Sequence, residues 1–272
     1  MRALTRTAGA IATPVARWTR ATCRTSTLTL LGWHRIGDAA DGLTTSFDDF
    51  RGQLDVLADW DAVVLPLDEA VELLAADRLP PRAVALTFDD GYASVLEQAW
   101  PELQERGLPA TLFAVSDFLH GDRLFPWDER HGSTELTRLA TAAQVRDAAD
   151  DGLDIGSHTR THRWLPSLTA VEVTEELRSS RAALEDLLQR PIRTCAYPMG
   201  GYHRSIRDLT GEAGYAAAIT CDRGRNRPHH DPLTLRRAFT FDDPADVRRQ
   251  LDGGFTWMRP FEQRRYRREP QW

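Results

Sequence analysis

The chain has 272 residues, 42% of them hydrophobic and 27% charged, with a formal net charge of -6. That length buries a sizeable core, that balance belongs to a globular fold, and the acidic excess argues against a nucleic-acid partner. All 34 basic residues are arginine, and Cys23, Cys195 and Cys221 are sparse, odd in number and without Cys-x-x-Cys spacing, which excludes a disulfide framework and a zinc–thiolate site and favours a reducing compartment.

The first 27 residues carry Arg2, Arg6, Arg17, Arg20 and Arg24 and no acid. Their most signal-like core, residues 8–16, is weakly apolar and broken by Thr13 and Pro14, so secretion through it is not expected. Leu4, Ala8, Ile11, Val15 and Trp18 share a helical face that suits an anionic membrane surface, but Pro14 interrupts it. The expectation is a loosely docked basic arm over 1–27, with peripheral membrane contact as the alternative and a cytoplasmic or membrane-peripheral location. No apolar run approaches the ~18 residues that would span a bilayer.

Residues 28–33 predict a first strand ending at His34. Ser46 caps a helix through 60, with Phe50, Leu54 and Leu57 at helical spacing. A short strand over 62–65 and a helix over 67–76 follow. Pro80 and Pro81 mark the start of Ala-Val-Ala-Leu-Thr-Phe, residues 83–88, an apolar run too short for a stable helix and suited to a strand buried on both faces. A helix reaches 106 and stops at Gly107 and Pro109. Residues 111–115 form a strand, and 118–133, without periodicity, a long loop on the site side. A helix over 141–150 precedes a strand over 153–157 that ends at His158. Thr169 and Glu172 make a capping box for a helix to about 189. Strands over 193–197, 216–220 and 233–239 alternate with helices over 204–213 and 244–251. The alternation predicts one α/β domain over 28–258, its parallel sheet curled into a barrel, with an Arg-rich tail over 259–272.

Two carboxylates, Asp89 and Asp90, arrive at the carboxyl end of the 83–88 strand, where α/β folds bind ligands. Gly91 lets the backbone turn. Successive strand side chains point opposite ways, so the two aspartates are expected to do different jobs. The same Phe-Asp-Asp triplet recurs at 47–49 and 241–243, but there it opens helices and lacks the following Gly; those copies read as acids facing a helix dipole. His158 and His162 stand four residues apart after another strand end, a spacing that brings both rings to one side of a helical turn. With Asp90 they make a two-His, one-carboxylate set with open positions, the catalytic type of metal site.

These residues resemble the polysaccharide deacetylase family of carbohydrate esterases, the NodB homology fold. Thr87-Phe88-Asp89-Asp90-Gly91 matches the family's first motif, Ser157-His158-Thr159-Arg160-Thr161-His162 the second, and Ala196-Tyr197-Pro198-Met199-Gly200-Gly201-Tyr202 is similar to the third. Leu31-Gly32-Trp33-His34-Arg35 and the Tyr-Pro-x-Gly form resemble the branch acting on poly-β-1,6-N-acetylglucosamine. The resemblance implies a single distorted (β/α)7 barrel and a metal-dependent N-deacetylase of an N-acetylated sugar or glycan. It implies one divalent ion on Asp90, His158 and His162, zinc first and cobalt or nickel tolerated, with Asp89 as general base. It assigns an oxyanion-binding backbone N–H to Met199 and substrate contacts to Tyr197, Pro198, Gly200 and Tyr202. Two departures stand out. Where many members carry an Arg that orients the base, this chain has Ala196, and Leu233-Thr-Leu-Arg-Arg holds no late His to serve as general acid. His34 is the expected replacement, with His229 and His230 as weaker candidates. The rival expectations are an O-acetyl esterase on the same scaffold and a catalytically weak glycan-binding module. A serine hydrolase is not expected, because no Gly-x-Ser-x-Gly elbow exists.

Overall fold

A computed structural model describes residues 26–39, 41–120, 123–129, 134–239, 243–254 and 257. The expectations for the arm over 1–27, except its last two residues, and for the tail over 259–272 lie outside the described residues. In chain order the elements are strands β1 (Thr29–Trp33), β2 (Arg35–Ile36) and β3 (Thr44–Thr45), helix α1 (Phe47–Asp59), β4 (Val63–Val64), α2 (Leu67–Ala75), β5 (Ala83–Phe88), α3 (Trp100–Glu105) and β6 (Thr111–Ala114). They continue with α4 (Ala142–Asp150), β7 (Asp154–Ser157), α5 (Ala170–Leu188), β8 (Thr194–Ala196), α6 (Arg204–Glu212), β9 (Ala217–Ile219), β10 (Arg237–Phe239) and α7 (Pro244–Leu251).

The main sheet runs β10-β1-β5-β6-β7-β8-β9, every pairing parallel, with β4 alongside the start of β5. Leu235 bridges Ile219 in parallel just before β10 pairs with β1, so one segment reaches from the last strand to the first and nearly closes the barrel. The fold is therefore a parallel, nearly closed (β/α)7 barrel, as the alternation of strands and helices predicts. Small inward residues make this closure fit. Ala83 and Ala85 of β5, Leu30 of β1, Ala196 of β8 and Ile219 of β9 share one cluster with Leu67, Ala70 and Leu74 of α2, which plugs one end. Val84, Leu86 and Phe88 point the other way, into the larger core beneath the helices.

Most predicted boundaries hold to within a residue or two, because the sequence signals are physical caps. Ser46 accepts a hydrogen bond from the Asp49 N–H at the start of α1, Thr141 and Thr169 make capping boxes with Gln144 and Glu172, and Asp243 caps α7. Two expectations need correction, and one element is new. The helix toward 106 begins as a wide π turn over Val95–Ala99, because Pro101 has no N–H to donate to the carbonyl four residues back. The strand over 233–239 shortens to Arg237–Phe239, because Pro232 opens a 3₁₀ turn over Pro232–Thr234. The small β2–β3 pair, placed just after His34, had no expected counterpart.

Candidate active site

Asp89 continues the inward register of β5. Its N–H donates to the Trp33 carbonyl at 3.0 Å, extending the ladder with β1 by one rung. Its carboxylate, 2% exposed, meets Arg237 of β10 in a bidentate pair, Nη1 to Oδ1 at 2.6 Å and Nη2 to Oδ2 at 2.5 Å. Arg237 Nη1 also donates to Thr87 Oγ1 at 3.0 Å, and that hydroxyl donates to the Leu31 carbonyl at 2.8 Å. The guanidinium has 0% exposure. Gly32 makes its passage possible: a Cβ there would stand 2.9 Å from the Phe239 ring and 3.1 Å from Arg237 Cδ. Burial would raise the Asp89 pKa, but the Arg237 charge outweighs it and, with His158, holds the carboxyl below the usual range.

Asp90 departs from strand alternation. Its φ of 75° is in the left-handed region, so its side chain swings back toward the cavity that Asp89 faces instead of pointing away. His158 Nε2 lies 3.9 Å from Asp89 Oδ2 and 3.5 Å from Asp90 Oδ1, while His162 Nε2 lies 3.3 Å from Asp90 Oδ1. Burial opposes ionisation of Asp90, but His162, His34 and His158 together hold its pKa well below the ordinary carboxylate value.

The stretch from His158 to His162 is not a helical turn, contrary to its spacing. Thr159 (φ 65°) and His162 (φ 59°) are left-handed, and the segment is a compact loop. Side chains close it from within: Ser157 Oγ accepts from the Thr159 N–H and Thr159 Oγ1 from the His162 N–H, each at 3.2 Å. The N–H groups of Ser116 and Asp117, just past β6, donate to its Thr159 and Arg160 carbonyls. His158 Nδ1 sits 2.8 Å from the Ala196 carbonyl. A proton on Nδ1 makes that hydrogen bond and leaves the Nε2 lone pair facing the two aspartates. Burial, more than any charge, pushes the His158 pKa down to about 4, so the ring is neutral and available as a ligand at neutral pH.

Ligand atoms of Asp90, His158 and His162 all lie within 4.8 Å of one another, and all three residues are buried. Asp90 Oδ1 is buried between the two imidazole Nε2 atoms without meeting either in good hydrogen-bond geometry, an arrangement a cation among the three would relieve. The donor set, two imidazoles and one carboxylate, fits a divalent cation with coordination positions to spare. The far side of His162 is an aromatic wall. Phe125 and Trp127 have ring centroids 5.5 and 5.0 Å from it. Asp128 anchors that wall by accepting from Arg35 Nη1 at 2.7 Å and Tyr92 Oη at 2.6 Å. The expected site-side loop over 118–133 is thus, where described, packed onto a metal-ligand candidate.

His34, half-buried, stacks on Phe239 at 4.6 Å and 15°. It stands in the field of Asp90, Asp89, Arg237 and His162, and burial lowers its pKa. The β1–β10 pairing brings it to the site, as expected of a barrel whose first strand meets its last. His229 is exposed, and His230 Nδ1 accepts from the Arg227 N–H within the same loop. Met199 (φ 55°) is half-buried in the turn after β8, where the Gly200 and Gly201 N–H groups are used on the Tyr197 and Pro198 carbonyls. Of the four residues expected to contact substrate, three are buried. Tyr197 is 0% exposed and its hydroxyl donates to the Leu233 carbonyl at 3.0 Å, so it supports the site from behind. Pro198 and Gly200 are also buried, and only Tyr202, stacked on Tyr197 at 5.3 Å, keeps partial exposure.

A family model described as polysaccharide deacetylase matches residues 76–218. A Bacillus subtilis protein named for the same activity, YxkH, is 26% identical over 198 residues, covering 72% of this chain and 65% of that protein, just under two thirds of its length. The poly-beta-1,6-N-acetyl-D-glucosamine N-deacetylase of Staphylococcus epidermidis is 26% identical over 211 residues, covering 73% of this chain and 68% of the relative. Among solved structures, the Streptococcus pyogenes deacetylase PplD superposes with a TM-score of 0.72 at 22% identity, covering 84% of this chain and 99% of that one. IcaB from Ammonifex degensii gives 0.72 at 23% identity, covering 85% and 97%. At these identities the two structures speak to the fold alone.

Proposed function

For a chain that belongs to the polysaccharide deacetylase family, we propose a metal-dependent N-deacetylase that removes acetyl groups from an N-acetylglucosamine-type glycan. The observation that carries the reading is the convergence of Asp90, His158 and His162 beside an Asp89 ion-paired to Arg237. Asp90, His158 and His162 would hold the cation, zinc in preference, with cobalt or nickel as alternatives. A cation bound there lowers the pKa of water towards ~7 and polarises the acetamide carbonyl.

Asp89 is the general base: the Arg237 pair keeps it ionised and fixes its plane, and its free lone pairs face the same cavity as the ligands. The Met199 backbone N–H, on the left-handed turn after β8, is the candidate donor to the developing oxyanion. His34 is the candidate acid that delivers a proton to the leaving nitrogen. The Phe239 stack fixes its plane, and it follows β1, the strand beside β5, which carries Asp89. Arg237 also supports an active enzyme over a weak binding module, because it supplies from β10 the charge that Ala196 lacks. The named activity of the S. epidermidis relative supports a β-1,6-linked substrate. The test is incubation of purified, zinc-loaded protein with β-1,6- and β-1,4-linked N-acetylglucosamine oligomers and with an O-acetylated sugar, following acetate and free amine together. Equal acetate and amine from the β-1,6 oligomer is the expected result; acetate without amine, from the O-acetylated sugar alone, would make the protein an esterase.

A further inference from the structure

Helix α5 buries Val173, Glu176, Leu177, Ser180, Leu184 and Leu188. Two members of this stripe are polar, and Glu176 is only 6% exposed. A carboxylate in an apolar stripe costs several kcal/mol unless its oxygens are satisfied. Those of Glu176 are, and every donor comes from the loop between the two histidines. Its Oε2 accepts from the Arg160 N–H at 3.0 Å and the Thr161 N–H at 2.8 Å, and its Oε1 from Thr161 Oγ1 at 2.5 Å. The Arg160 side chain is directed elsewhere, to Asp117 and Glu175. One turn further along the helix, Ser180 Oγ bonds Ser157 Oγ at 2.8 Å, and that same oxygen accepts from the Thr159 N–H.

We propose that Glu176 is a positioning residue for the metal site: it holds the His158–His162 loop in the one shape that presents both imidazoles to the cation. The inference rests on the metal reading above. Glu176 touches neither ring, so it acts through the backbone between them. That backbone contains left-handed Thr159 and His162, an unfavourable conformation that persists only where the surroundings fix it. The carboxylate grips the loop from the α5 side while Ser116 and Asp117 hold its carbonyls from the β6 side.

Titration of the metal-stripped full chain with zinc alone, against a chromophoric chelator, tests this, with thermal melting of the apo forms in parallel. Wild type should bind one zinc. Glu176→Ala should bind it about 10–100-fold more weakly, the range for outer-shell partners of metal ligands. Glu176→Gln, whose carbonyl oxygen still accepts both amides, should stay within about threefold of wild type, since at most one hydrogen bond is lost. A folded Glu176→Ala that melts earlier but binds zinc as tightly as wild type would overturn the proposal and leave an ordinary structural role. A Glu176→Gln as weak as Glu176→Ala would also overturn it, by making charge the cause. If Glu176→Ala does not fold, Glu176→Asp decides, because its shorter side chain draws the carboxylate back from both amides while keeping the charge: weaker binding supports the clamp, and unchanged binding overturns it. Failure of wild type itself to bind zinc would remove the underlying metal reading, a result distinct from any of these.

Discussion

Asp89 and Asp90 are adjacent in sequence yet differ in backbone, and that difference separates their roles. Asp89 extends a strand and reaches an arginine; Asp90 turns left-handed and reaches two imidazoles. Asp89→Asn should therefore keep the metal and lose turnover by about 10²-fold or more, the loss expected for a general base; metal analysis beside a rate assay checks both, and a variant that loses its metal would contradict the assignment. Arg237→Met should raise the Asp89 pKa. A carboxyl held below its unfolded value contributes stability above that value and loses it as pH falls through the folded one, so the variant should lose this contribution at neutral pH. Breaking a buried pair costs about 3–5 kcal/mol in urea unfolding, and the acid limb of kcat/KM should move to higher pH. His34→Ala should depress amide hydrolysis far more than hydrolysis of an activated acetate ester, whose leaving group needs no proton; equal losses would make His34 structural. Asp89, Asp90, His158 and His34 were legible as candidates because each follows directly on a buried strand, and His162 because it stands four residues after His158. Arg237 was not, because it lies 148 residues from Asp89 and its partner is chosen by barrel closure. The available signal was an arginine inside an otherwise apolar strand pattern.

At the scale of elements, caps were the most readable feature and loops the least. Thr169 and Glu172 form the box that starts α5, and Thr169→Ala should cost about 1 kcal/mol, lowering Tm by roughly 2–4 °C, with zinc affinity unchanged. A thermal melt paired with a zinc titration checks this, and a change in affinity would mean that the α5 start also shapes the site. The His158–His162 spacing was misread as helical because an i, i+4 pair carries no record of backbone sign; two left-handed residues instead make a loop. Glu176 escaped notice for a related reason. An acid on a long helix is ordinary until the burial of Val173, Leu177 and Leu184 shows that it occupies the inner face. Phe125, Trp127 and Asp128 lie in a stretch without periodicity, where pattern says only that a loop exists and not what it packs on.

For the whole molecule, the alternation of strands and helices was sufficient to specify a parallel barrel, and its order places β1 between β5 and β10. That order brings His34 and Asp89, at the carboxyl ends of β1 and β5, together with Arg237, whose side chain reaches Asp89 from the start of β10. Among the described residues no helix is long and apolar enough to cross a membrane. Three ligand-type side chains, an arginine-paired carboxylate and a stacked imidazole then share one mouth of the barrel, and the chemistry proposed needs all of them together. The most direct measurement is acetate release from a β-1,6-linked N-acetylglucosamine oligomer by chelator-stripped protein, as zinc is added back to wild type and to a His158→Ala, His162→Ala double variant. Wild type should regain activity in step with zinc up to one equivalent while the double variant stays inactive; full activity in the stripped wild type, or equal restoration of the double variant, would contradict a metal-dependent deacetylase centred on these residues.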